Sequence, residues 1–203
     1  MIGIIDYGLG NINAISNIYN KLKIQNIIIS SPKDFDKSEK FILPGVGAFD
    51  SAMTLLNKSN FILEIQRQIF EKNKKILGIC VGMQIFAKNS SEGKNSGLKW
   101  IDADVRKINS ENQNYLRLPH MGWNSIKITN NDLLFSGLEE DEYFYFCHSY
   151  YFNCINQKNI LAETHYGHEF PCVIKNDNIY GIQFHPEKSH DSGLKILKNF
   201  ALL

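Results

Sequence analysis

The chain has 203 residues and a mass of 23.3 kDa, enough for one domain with a sizeable core. Apolar residues make up 43%, aromatics 12% and charged residues 21%, which excludes a disordered, collagen-like or coiled-coil chain. Lys and Arg total 22 against 21 Asp and Glu, so the formal net charge is +1 and the basic excess of a nucleic-acid binder is missing.

The first residues carry no basic flank before a short apolar run, which is not the pattern of a signal peptide. No stretch reaches the roughly 18 apolar residues of a membrane span. The expectation is a soluble, cytoplasmic protein without a membrane partner. Cys80, Cys147, Cys154 and Cys172 lack CxxC spacing, so they are expected to be free thiols and neither disulfides nor zinc ligands.

In chain order, residues 2–6 form an apolar run that ends in a Gly-rich turn at 7–10. Ile12, Ile15, Ile18 and Leu22 then recur at near-helical spacing. Residues 26–30 (NIIIS) and 41–43 have the character of buried strands. A helical zone over 48–72 is expected to break near Ser59-Asn60. Residues 76–79 make another apolar strand, with a helix expected over 81–87. This βαβα rhythm predicts a parallel sheet with helices on both faces.

The second half reads differently. Residues 89–97 are polar and Gly-containing, a loop. Short strands are expected at 105–108, 123–128, 143–147, 160–164, 172–175 and 179–184, with hairpins among them. The aromatic run 143–146 suggests a strand covered on both faces. Apolar spacing over 193–203 closes the chain with a helix. No linker interrupts the sequence, so residues 1–203 are expected to form a single domain.

Three motifs carry chemistry. Gly78-Ile79-Cys80-Val81-Gly82, between a strand and a helix, has the spacing of a nucleophile elbow with Cys in the nucleophile position. The turn is so tight that residues two before and two after must be nearly side-chain-free. A thiolate there would be favoured by the helix N-terminus, and the Val81 N–H would point at a developing oxyanion. A buried, inert thiol is the competing explanation. His185-Pro186-Glu187 follows the last strand and offers a base with a carboxylate on the same side to orient it; a surface turn is the competing explanation. Leu43-Pro44-Gly45-Val46-Gly47 could bring a second backbone donor to an oxyanion, or be a plain turn. His165, His168 and His190 are expected to be strand-end, loop or surface residues, and Cys147, Cys154 and Cys172 structural. Gly8-x-Gly10 lacks the rest of a dinucleotide fingerprint, and no cofactor or metal is expected.

Taken with Pro119-His-Met-Gly-Trp-Asn124 and His148-Ser-Tyr-Tyr151, these blocks resemble the class I glutamine amidotransferase family along the whole chain. Within it, PHMGWN and Asp6-Tyr-Gly-x-Gly-Asn11 are most similar to the glutaminase subunits of imidazole glycerol phosphate synthases. The resemblance implies a flavodoxin-like α/β fold, with a central mostly parallel sheet and additional antiparallel strands. It implies a Cys80–His185–Glu187 triad that hydrolyses glutamine through a thioester. It also implies oxyanion and substrate contacts from Gly45, Val46, Gly47, Val81, Gln84, His148, Ser149 and Tyr150. A (β/α)8-barrel synthase subunit would form a heterodimer with this chain through the segments of Asn11, Asn13, Pro119, His120, Met121 and Trp123, and would receive the ammonia. Val81 in place of the usual Leu keeps the N–H donor. Differences around residues 89–104 and 116–118 leave open a paralogue that feeds another synthase, such as one amidating a surface sugar. A stand-alone cysteine hydrolase and a non-enzymatic binding module are the readings from other classes. A flexible 45–47 segment further implies that the isolated subunit is a poor glutaminase.

Overall fold

The computed structural model describes residues 1–109, 116–139 and 142–203. The opening apolar run forms β1 (Ile2–Ile5), followed by α1 (Ile12–Lys21), β2 (Asn26–Ile29) and β3 (Lys40–Leu43). The expected break in the helical zone is real: α2 (Phe49–Lys58) and α3 (Ile62–Gln66) flank Asn60, which takes a positive φ of 59°. Asn tolerates that left-handed conformation better than most residues, and no helix continues through it. A single π turn, Arg67–Glu71, completes the zone before β4 (Lys75–Ile79).

Elements β1 to β4 pair in parallel in the order β2-β1-β3-β4. The chain moves one way from β1 to β2 and the other way from β3 to β4. Right-handed crossovers then put α1 on one face and α2 and α3 on the other. The order reverses between β1 and β3, and a crevice opens beyond the carboxyl ends of strands at such a reversal.

The short α4 (Val81–Gln84) follows β4, and β5 (Asn89–Ser90) lies within the expected loop. Next come β6 (Ala103–Lys107), β7 (His120–Ser125), β8 (Lys127–Ile128), β9 (Tyr143–His148), β10 (Tyr150–Cys154), β11 (Ile160–Tyr166), β12 (His168–Asn176) and β13 (Ile179–Ile182). The chain ends in α5 (His190–Leu202), which packs against α1. Strand β13 inserts parallel to β4, and β12, β11 and β8 extend that sheet antiparallel to eight strands. Strands β10, β6 and β5 form a second sheet, and β7 pairs with β9.

Several expectations needed correction. The strand over 123–128 is two strands: β7 stays with β9, then the chain passes Ile126 and joins the edge of the large sheet as β8. Strand β12 spans His168–Asn176 and so runs through Pro171, well beyond the expected 172–175. Pairing with β13 starts only at Val173, so no ladder bond to β13 is lost at the proline. The aromatic run in β9 is fully covered on one face and only partly on the other, where Tyr145 is half-buried against Trp123. Phe144 and Phe146 are buried against Phe184, while Tyr143 faces outward. The helix over 81–87 regularises for a single turn, and the closing helix starts earlier than expected, at His190. All four cysteines are free. Among the described residues, no helix is long and apolar enough to cross a membrane.

Candidate active site

Cys80 stands between β4 and α4 with φ 55° and ψ −113°, a strained conformation for a residue with a side chain. Its N–H is tied to the Ile182 carbonyl at 2.8 Å, which fixes the turn to the neighbouring strand β13. The two elbow glycines have a steric reason. A Cβ on Gly78 would lie 2.6 Å from the Gly82 carbonyl oxygen, and one on Gly82 would overlap the Leu43 carbonyl. Gly45 in turn presses on the Gly82 nitrogen and Val81. The end of β3 and the elbow therefore interlock, and residues 46 and 47 are held beside Cys80.

His185 follows β13 and is 3% exposed. Its Nδ1 meets Glu187 Oε1 at 2.9 Å, and its ring lines the same cavity as Cys80, close enough for the two to interact electrostatically. Burial pushes the imidazole pKa down, but the sulfur and the carboxylate more than offset this and raise it above the ordinary histidine value. Burial alone would raise Glu187; the bonds from His185 and Asn11 instead hold it below the usual range. The arrangement favours a protonated imidazole in the cavity that Cys80 lines. The chemistry open to it is nucleophilic attack with proton transfer.

Cys80 opens onto a cavity of about 360 Å³. Val46, Gly47, Val81, Gln84, His148, Ser149, Tyr150 and His185 line it, together with Asn11. Gly45 does not; it is buried in the interlock, and the residues of this segment that line the cavity are Val46 and Gly47. Gly47 is exposed, with φ 85°. Glu187 sits behind His185, its side chain almost fully buried.

The residues expected to face a partner divide. Asn13 and Pro119 are exposed, and Met121 and Trp123 stand out of β7 at 61% and 46% exposure, with Trp123 stacked on His190. His120 is a correction. Side chains alternate along a strand, so it points inward, where it is buried between Phe146 and Tyr166 and cannot offer its ring to a partner. Its Nδ1 is 3.0 Å from His148 Nε2, and His148 Nδ1 is 2.8 Å from the Tyr150 carbonyl. Asn11 has an internal duty as well: its amide donates to Glu187 Oε1 at 2.6 Å.

Sequence reasoning missed Glu92, Cys147, Lys188 and Gln183. The first three line the cavity. Gln183 is fully buried and donates to the Cys80 sulfur at 3.6 Å. Its signal was available: it stands two residues before His185, as His185 stands two before Glu187.

The sequence model of the class-I glutamine amidotransferase family matches residues 3–203. The chain belongs to that family. The amidotransferase is 48% identical over 203 residues to an imidazole glycerol phosphate synthase subunit HisH of Bdellovibrio bacteriovorus, with 99% of both chains covered. It is 43% identical over 204 residues to the subunit of the same name from Leptospira interrogans, with both chains fully covered. Among solved structures, one described as a glutamine amidotransferase superimposes with a TM-score of 0.76 at 16% identity, covering 100% of this chain and 99% of the other. A glutamine amidotransferase of Thermotoga maritima gives 0.66 at 15%, covering 99% and 95%. At those identities the likeness concerns the fold alone. It matches the class I amidotransferase architecture of a large, mostly parallel sheet with added antiparallel strands.

Proposed function

We propose that this amidotransferase is the glutaminase subunit of an imidazole glycerol phosphate synthase and that it supplies ammonia for histidine biosynthesis. The observation that carries the reading is the strained elbow thiol sharing one cavity with His185, whose ring is held by Glu187 behind it, beyond the strand ends. Full-length likeness to subunits named HisH supports the pathway. Glu92 and Lys188 bring one charge of each sign to the cavity, which suits the zwitterionic end of a free amino acid.

Cys80 attacks the side-chain amide carbon of glutamine. The tetrahedral oxyanion is met by the Val81 N–H and a backbone N–H of the 46–47 segment. Val81 opens α4, so its N–H has no helical carbonyl one turn earlier to bond. His185 passes its proton to the departing ammonia, then takes one from the water that cleaves the thioester, while Glu187 holds the ring. Gln84 and the backbone of His148, Ser149 and Tyr150 contact the substrate.

Free ammonia is largely protonated near neutral pH and would lose its nucleophilicity in solvent. Residues 1–203 form a single glutaminase domain in this reading, and the relatives' description as synthase subunits supports an acceptor site on a separate (β/α)8-barrel subunit. The lyase chemistry is that partner's. Asn13, Pro119, Met121 and Trp123 present their side chains to it, with Trp123 a rigid aromatic anchor. Cys80 must stay reduced to act as a nucleophile, which suits a reducing compartment such as the cytoplasm.

The test is the Cys80→Ala variant assembled with the barrel subunit. Glutamine hydrolysis and glutamine-dependent product formation should vanish, while added ammonium salt still supports synthesis. Retained hydrolysis would overturn the glutaminase reading. An intact glutaminase that transfers nothing to this acceptor would overturn the pathway.

A further inference from the structure

Helix α4 is a single turn, so its dipole gives the Cys80 thiolate less support than the longer helix expected from sequence. Another donor also reaches the sulfur. Gln183 Nε2 lies 3.6 Å from Sγ, and the side chain is fully buried.

The amide orientations follow from one carbonyl. The Tyr150 carbonyl oxygen can only accept, so the Gln84 atom 2.9 Å away is its NH2. The same nitrogen is 3.0 Å from the next amide, which must therefore present its oxygen, Gln183 Oε1. That leaves the Gln183 NH2 for the sulfur. The Tyr150 carbonyl is itself held by the Nδ1–H of His148.

We propose that Gln183 stabilises the thiolate form of Cys80 by donating to its sulfur, with Gln84 and the Tyr150 carbonyl locking the amide in the donating orientation. The proposal rests on the glutaminase reading for its biological use, though not for its test. Gln183 touches the reacting atom, whereas Gln84 acts here as a positioning residue. The ionisable groups facing the sulfur are His185 after β13, with Glu187 behind it, and Tyr7 from the turn after β1. Glu92 and Lys188 lie farther along the cavity, and His148 comes from β9. None of these is altered by changing Gln183.

The experiment measures the rate of Cys80 alkylation by iodoacetamide against pH, on the full-length chain in a Cys147→Ser background. Peptide mass spectrometry assigns the modified site. Gln183→Met removes the donor at similar volume. The midpoint of its profile should move up by about one pH unit, about a tenfold loss of thiolate at lower pH. Gln183→Glu keeps the shape but puts an acceptor beside the sulfur, so its midpoint should move further. Gln84→Met unlocks the relay and should shift the midpoint in the same direction by less. A profile superimposed on the parent's in any variant that keeps the parental melting temperature overturns the proposal for the residue changed. A structural role alone would lower the melting temperature and leave the midpoint in place. Because glutamine turnover is not the readout, loss of the shift would leave the glutaminase reading standing. Conversely, turnover by Cys80→Ala would sink that reading without touching the alkylation result.

Discussion

Glu187 Oε1 accepts two hydrogen bonds at once, from His185 Nδ1 and from the Asn11 amide. Its other oxygen is buried and has no protein partner among the described residues. The carboxylate is therefore oriented by Asn11 as much as by the histidine it serves. Charge-assisted bonds of this kind contribute about 1.5–3 kcal/mol. Asn11→Ala is expected to lower glutaminase kcat/KM about tenfold or more, with the loss mainly in kcat, because the imidazole is less well aimed. Asn11→Asp should cost more. A second carboxylate beside Glu187 raises its pKa, so the acid limb of the pH–rate profile should move to higher pH. Steady-state kinetics over a pH series would show both effects. An unchanged limb in Asn11→Asp would mean that the 2.6 Å contact does not persist in solution. Tyr7 presents a different case: its buried hydroxyl has no partner among the described residues. Tyr7→Phe removes a desolvated group without removing a hydrogen bond. It should leave the denaturation midpoint unchanged or raise stability by about 1 kcal/mol. A clear destabilisation would reveal a partner for that hydroxyl.

At the scale of elements, the site depends on two strand ends that lock into each other. The end of β3 and the elbow after β4 approach so closely that Gly82 has no room for a methyl group against the Leu43 carbonyl. The obstacle is backbone, which cannot swing away as a side chain can. Gly82→Ala is expected to destabilise the fold by about 3 kcal/mol or more, read as a lower urea midpoint. Any folded fraction should be a poor glutaminase, since residues 46–47 would be pushed off Cys80. A loss below about 1 kcal/mol would show that the interlock yields. This part of the fold was legible in sequence because each strand is a short apolar run closed by glycines whose spacing has a steric cause. Cys80, His185 and Glu187 were legible as candidates for a related reason: elbow and HPE spacing follow from turn and strand geometry. The second half was less so. Nothing local told residues 123–128 to change sheets at Ile126, or showed that β13 would reach only to Val173 and so free Pro171. Glu92, Cys147 and Lys188 reach the cavity from separate elements, and only tertiary packing brings them together. Gln183 is the exception, since the same-side argument that paired His185 with Glu187 extends back to it.

For the whole molecule, the inward His120 has a consequence for stability. The Tyr150 carbonyl only accepts, so His148 carries its proton on Nδ1 and offers a lone pair at Nε2. His120 must then donate from Nδ1 and accept at Nε2, where the Asn124 amide lies 3.2 Å away. Both rings are neutral in this chain of bonds, and an added proton on either would break a link. Burial pushes the His120 pKa down to about 4. For His148, burial outweighs the Tyr150 bond that favours protonation and takes it to about 3. The unfolded chain takes up these protons at about pH 6.5. The unfolded state thus binds more protons below that pH, and stability is complete above about 6.5 and lost as pH falls toward about 4 and 3. His185, raised rather than lowered, contributes in the opposite sense and only above about 6.5. The lowered carboxylates, Glu187 among them, begin to act only near and below their ordinary values. The window from about pH 6.5 to 5 therefore isolates the histidines. Unfolding free energy should fall there by at most about 1.4 kcal/mol per pH unit for each buried ring, with His168, half-buried and also lowered, adding a smaller share. Urea titrations at a series of pH values would measure the slope. In His120→Phe the stacking with Phe146 and Tyr166 is kept, while one titrating ring and the bond to His148 are lost. Its stability at about pH 8 should drop by about 1–3 kcal/mol for the unpaired His148 nitrogen, and its slope should fall by one proton's worth. A slope equal to that of the parent chain would place the acid sensitivity elsewhere, because the two imidazoles are the most deeply buried basic groups whose folded state demands neutrality.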